Sequence, residues 1–153
     1  AALYRHFPSK ARMFEGLLGF VEETLFSRIN RVLEDDHTMH GRLQKILLLM
    51  LTFAARNPGI CRILAGEALL GEQPRLRTQV QQLFERINVQ LKQVLREAIL
   101  AEGHSEPLAT EKANLLLAFV EGRIRQFVRS DFQLSPLEYW PSQWPLLSKI
   151  VEA

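Results

Sequence analysis

The sequence predicts an all-α domain, and three observations carry that expectation. Apolar residues recur at steps of three and four along nearly the whole chain. Strand-like alternation of apolar and polar residues is almost absent. Turn-forming clusters fall at helix-length intervals, at Asn57-Pro58-Gly59, Gly71, Gly103 and Pro136.

The elements follow in order. Residues 1–7 read as the end of a helix that Pro8 stops, because the residue before a proline is pushed out of the α region. Ser9 can cap the next helix, which runs to about Glu34 with Phe14, Leu18, Val21, Leu25, Ile29 and Val32 facing inward. Asp35-Asp36-His37-Thr38 breaks it. From Met39 to Arg56 the run Ile46 to Leu51 is apolar all round, which places this helix in the middle of the body. Asn57-Pro58-Gly59 turns the chain into a shorter helix, Ile60 to Leu70, ending near Gly71. Pro74 to Leu100 carries one continuous stripe from Leu76 through Leu83, Ile87 and Leu91 to Leu95, and Gly103 supplies its stop. Leu108 to Phe132 is the fifth helix; Leu115 and Phe119 widen its apolar side beyond Leu116, Val120, Ile124, Phe127 and Val128. Pro136 and Pro141 interrupt the chain before a last helix, about Gln143 to Val151. The sum is about six helices and a fragment of a seventh, without internal repeat or flexible linker.

Composition narrows the function classes. The 153 residues are 47% hydrophobic and 24% charged, as in an ordinary globular domain. A net charge of +2 does not make the whole chain a polybasic nucleic-acid binder, but Arg5, Lys10 and Arg12 all precede the first acid, Glu15. The single Cys61 excludes an internal disulfide and points to a reducing compartment. No uninterrupted apolar stretch reaches membrane-spanning length, and no signal-peptide layout opens the chain. His37 and His40 are three apart without a convincing set of further metal ligands. Asp35-Asp36 reads as a helix end, Cys61 has no evident base, and no Gly-rich phosphate loop is present. An enzyme is not expected, nor a metal or other cofactor.

Leu3-Tyr4-x-His6-Phe7-x-x-Lys10 resembles the end of the recognition helix in the tetracycline-repressor (TetR) family. On that resemblance, residues 1–10 are the end of a helix-turn-helix head most of which has been cut away. Residues 11–153 are then a TetR-like regulatory body for dimerisation and partner binding. Arg56-Asn57-Pro58-Gly59, Gln82 to Ile87, Gln93 to Glu97, Phe127 to Phe132 and Trp144 to Leu146 are similar, in order, to the nucleoid-occlusion branch of that family. The resemblance spans essentially the whole chain. It implies a cytoplasmic, nucleoid-associated homodimer, bound to specific DNA sites, that also binds the C-terminal tail of the tubulin-like division protein FtsZ and antagonises Z-ring assembly over the chromosome. The alternative is a TetR-type transcriptional repressor with a small-molecule pocket in the body. A purely structural helical adaptor is a third class.

Three surfaces carry candidate residues. Tyr4, His6 and Lys10 resemble family positions that reach the DNA backbone, as hydroxyl, ring nitrogen and point charge; otherwise Tyr4 and His6 are simple helix-end side chains. Phe20, Thr24 and Arg28 recur at steps of four on one helix, and Leu49, Thr52 and Arg56 at three and four on the next, with Asn57 at its end. Side by side, these rows would form an apolar floor edged by arginines, suited to an acidic, partly apolar peptide. The resemblance assigns the FtsZ-tail groove to Phe20, Arg28, Leu49, Arg56 and Asn57. Thr52 departs from it, standing where a glycine is expected. The opposing reading makes Phe20 and Leu49 core and both arginines solvated. Finally, Phe119, Arg123, Phe127, Trp140 and Trp144 are candidates for a four-helix dimer seam, being the aromatic and arginine types that anchor interfaces. The alternative there is a monomer core filled by two tryptophans.

Overall fold

A computed structural model describes residues 9–67, 74–101 and 108–152, which form six α-helices and no strand among them. The order is α1 (Lys10–Asp35), α2 (Met39–Arg56), α3 (Pro58–Leu64), α4 (Pro74–Ala101), α5 (Ala109–Arg129) and α6 (Trp140–Glu152). The expected helix fragment at 1–7 and the Gly103 stop lie outside the described residues.

Local chemistry sets the joints. Ser9 caps α1, its hydroxyl accepting from the Arg12 amide at 3.2 Å. Between α1 and α2, the Asp36 carboxylate accepts from the Thr38 amide and hydroxyl, both at 2.8 Å, and from Lys45 Nζ at 2.9 Å. Thr38 in turn caps α2, accepting from the Gly41 amide at 3.0 Å. A Cβ at Gly41 would fall inside the van der Waals shell of the Asp36 carboxylate and the Thr38 hydroxyl, so glycine is required there by close approach. Asn57 ends α2, its side-chain amide donating to Phe53 O at 2.7 Å, and Pro58 starts α3 at once. The chain turns through 112° between them.

Three boundaries differ from the sequence expectation. Helix α3 stops at Leu64, six residues early, because Gly66 takes φ +86 and closes the helix with a left-handed residue. Helix α5 stops at Arg129, with Asp131 and Phe132 both at positive φ. Helix α6 begins at Trp140 rather than Gln143, since Pro141 falls in the first turn, where a missing N–H costs nothing. Pro145 is carried inside that helix.

Helix α2 lies at the centre and touches each of the other five. Its Leu43, Ile46, Leu47 and Leu51 are fully buried. Helices α1 and α4 run side by side in the same direction, tied by Glu15–Arg75 at 2.7 Å and Glu22–Arg86 at 2.6 Å. Arg86 also lies 3.8 Å over the Phe26 ring. Arg42 holds three elements together, donating to Leu33 O (2.8 Å), Asp36 O (2.6 Å) and Glu97 (3.1 Å).

Candidate partner-binding face

Helices α1 and α2, joined by three residues, pack as antiparallel neighbours. Of the expected groove residues, Phe20 and Arg28 lie on α1, Leu49 and Arg56 on α2, and Asn57 at its end. Phe20 is 54% exposed, so it is not core. Arg28 and Arg56 are exposed too, and neither has an ion-pair partner among the described residues. Leu49 and Asn57 are half-buried, with Leu49 packed against the core. The Asn57 amide is partly committed, because one of its hydrogens caps α2. Thr52 is half-buried on the same helix. Between them the two helices offer one solvent-facing aromatic ring, two guanidiniums without an ion-pair partner among the described residues, and an aliphatic side chain packed on the core. That combination can hold a chain bearing carboxylates and apolar side chains.

Lys10 is exposed at the first turn of α1 and lies 5.6 Å from the Phe14 ring centroid. An open groove of about 470 Å³ between Lys10, Phe14 and Leu17 of α1 and Ile60, Arg62 and Ile63 of α3 adjoins it. Tyr4 and His6 lie outside the described residues.

The dimer-seam candidates lie mostly inside the single chain. Arg123, Phe127, Trp140 and Trp144 are all buried within the single chain, and Phe119 is half-buried. Trp140 and Trp144 stack with ring centroids 5.7 Å apart, Phe119 sits 6.4 Å from Trp140, and Phe127 meets Phe132 edge-on. Arg123 donates to Ser135 O and Glu138 O, each at 2.9 Å, and to the Gln126 side chain. This set fastens the 130–139 loop and α6 to the body; an interface needs side chains that remain uncovered. Those on the same elements are Leu115 (52% exposed), Tyr139, Leu146 (61%) and Ile150 (60%). Residue type marks which side chains could anchor an interface but not which neighbour in the same chain covers them.

His40 also carries a tie that sequence spacing did not reveal. Its Nδ1 lies 2.9 Å from Glu152 Oε1, and the Trp144 indole N–H donates to its Nε2 at 3.3 Å. Both contacts are satisfied at once by a neutral ring protonated on Nδ1. They fix the first turn of α2 to the last helix.

Among the described residues, the middle of the body is filled. Leu47, Leu51, Phe53 and Leu83 are buried in the core, and Phe119 packs against it. The hollow beneath Phe84 and Ile124 measures about 10 Å³, too little for a small molecule. Beside it the Glu121 carboxyl is raised above its ordinary value by desolvation, which Arg125 partly offsets. Burial pushes the Cys61 thiol up to about 12, and its sulfur lies 3.2 Å from Ala54 O.

Comparison with known proteins agrees with this architecture. The SlmA-like family described as "Tetracyclin repressor-like, C-terminal domain" matches residues 36–152. A nucleoid occlusion factor SlmA of Marinomonas sp. (strain MWYL1) is 51% identical over 150 residues, covering 97% of this chain and 76% of that protein. The nucleoid occlusion factors SlmA of Shewanella sp. (strain MR-4) and Shewanella baltica (strain OS155) are each 58% identical over 145 residues, covering 94% of this chain and 74% of theirs.

Proposed function

The chain belongs to the SlmA-like branch of the tetracycline-repressor family, and from that premise we propose that it is the body of a nucleoid occlusion factor: a DNA-associated, cytoplasmic homodimer that captures the C-terminal tail of FtsZ and antagonises Z-ring assembly over the chromosome. The observation that supports tail capture best is Phe20, an aromatic ring left in solvent on α1, the helix that also carries Arg28; neither Arg28 nor Arg56 of α2 has an ion-pair partner among the described residues. The tail lies along the α1–α2 edge, its apolar side chains on Phe20 and Leu49 and its carboxylates on Arg28 and Arg56, with Asn57 at the end. Thr52 borders this path and sets its width.

DNA contact falls to Tyr4, His6 and Lys10 at the base of the head. Lys10 supplies a cation at the start of α1, where backbone amides also favour a phosphate. Two bodies paired through α5 and α6 present two tail grooves. DNA-held dimers raise the local concentration of captured tails, so a weak groove suffices. The filled interior around Leu47 and Leu51 favours this reading over a repressor gated by a small molecule.

Fluorescence anisotropy with a labelled FtsZ-tail peptide tests it. Arg28→Glu and Arg56→Glu are each expected to weaken binding by about tenfold or more, since each reverses a charge at a carboxylate contact. Unchanged binding in both variants overturns the groove assignment.

A further inference from the structure

His40 stands in the first turn of α2 with half of its side chain in solvent, and it bridges two residues of the last helix. Its Nδ1 lies 2.9 Å from Glu152 Oε1, and its Nε2 accepts from the Trp144 indole N–H at 3.3 Å. Trp144 is only 4% exposed, and among the described residues its indole N–H has no acceptor besides this ring. The two rings also meet edge-on, with centroids 5.1 Å apart.

Only one protonation state serves both partners. In a neutral imidazole with its proton on Nδ1, one nitrogen donates to the carboxylate and the other accepts from the indole. An added proton makes both nitrogens donors. The contact with Glu152 then gains charge, while Nε2–H faces the Trp144 N–H donor to donor. Flipping the ring does not help, because the imidazolium keeps no free lone pair. A buried donor stripped of its acceptor costs more than the bond contributed. The half-exposed ring has room to turn toward water together with Glu152, the last residue of α6.

Imidazole is the side chain that changes charge between about pH 5 and 8. Glu152 is the charged group in ion-pair contact with His40 among the described residues. Lys149 is exposed on α6, three residues before it. On α2, Arg42 and Lys45 are engaged by Glu97 and Asp36, and His37 of the preceding joint lies 3.4 Å from Arg42. Glu111 and Lys112 stand at the start of α5. None of these accepts from the Trp144 indole.

We propose that His40 is a proton-operated latch on the last helix: neutral, it holds both Trp144 and Glu152 to α2; protonated, it keeps Glu152 and releases Trp144. Release loosens the first half of α6, the helix that carries the outward-facing Leu146 and Ile150. The latch needs no partner molecule, so it stands or falls apart from the tail groove.

The indole N–H resonances test it. The chain has two tryptophans, so an isotopically labelled sample gives two indole cross-peaks, assigned by triple-resonance spectra. Between about pH 8 and 5 the Trp144 indole proton is expected to move upfield along a single-proton titration. Its protection from hydrogen exchange, corrected for the intrinsic pH dependence, is expected to fall by about tenfold. His40→Gln, whose amide donates to Glu152 and accepts from Trp144 at every pH, is expected to hold both readings flat. A Trp144 proton that stays in place, moves downfield, or titrates equally in His40→Gln overturns the latch. The wild-type sample supplies a check independent of the variant: the His40 ring protons must share the Trp144 midpoint, and a separate midpoint also overturns it.

Discussion

Arg123 shows how much one side chain can organise. It is only 5% exposed, yet it donates to two loop carbonyls, Ser135 O and Glu138 O, and lies 5.8 Å from the centroid of the Tyr139 ring. Tyr139, like Asp131 and Phe132, is held at positive φ, so the loop depends on these bonds to stay in a costly backbone conformation. Arg123→Met keeps the volume but leaves both carbonyls without a donor. We expect a loss of about 2–3 kcal/mol in urea denaturation, and an unchanged midpoint would mean the loop is held elsewhere. Cys61 makes the opposite case. Its thiol is pushed up to about 12 by burial alone, so the thiolate is scarce at neutral pH. Iodoacetamide should label Cys61 only as fast as the fold opens; rapid native labelling would contradict its burial. Both residues carried little signal in the sequence. Arg123 sits in a helix like any surface arginine, and its acceptors belong to a loop whose path periodicity cannot describe.

Elements were far more legible than sites. The long apolar stripes gave α1, α2, α4 and α5 to within a few residues, because repeated steps of three and four over many turns average out individual exceptions. Short elements had no such averaging. The sequence pattern carries α3 six residues too far, because nothing in it marks Gly66 as a left-handed stop, and starts α6 three residues late, because Pro141 reads as a break as readily as a first-turn residue. The α1–α2 joint has its own pH signature. The Lys45 ammonium, with help from the Thr38 amide and hydroxyl, holds the Asp36 carboxyl far below its ordinary value of 3.8. A depressed folded value means this contribution is complete above the unfolded value and is lost as pH falls below it. Acid unfolding should therefore steepen below about pH 4, and Asp36→Asn should flatten that limb while lowering stability at neutral pH. An acid limb unaltered by Asp36→Asn would separate the joint from the acid response.

At the scale of the whole molecule, the central place of α2 was visible in its all-round apolar run. Which residues of α5 and α6 stay uncovered was not visible in the same way. Aromatic residues in α5 and α6 served both the interior and the seam by type, and only the packing of a single chain shows that Trp140 and Trp144 are already spent inside it. That packing has a practical corollary. The chain has two tryptophans, stacked four residues apart on its last helix and tied through His40 to the start of α2. Intrinsic emission from this protein is thus a local witness. It reports when the terminal helix lifts away from the first turn of α2, and little of what happens at the opposite end of the bundle.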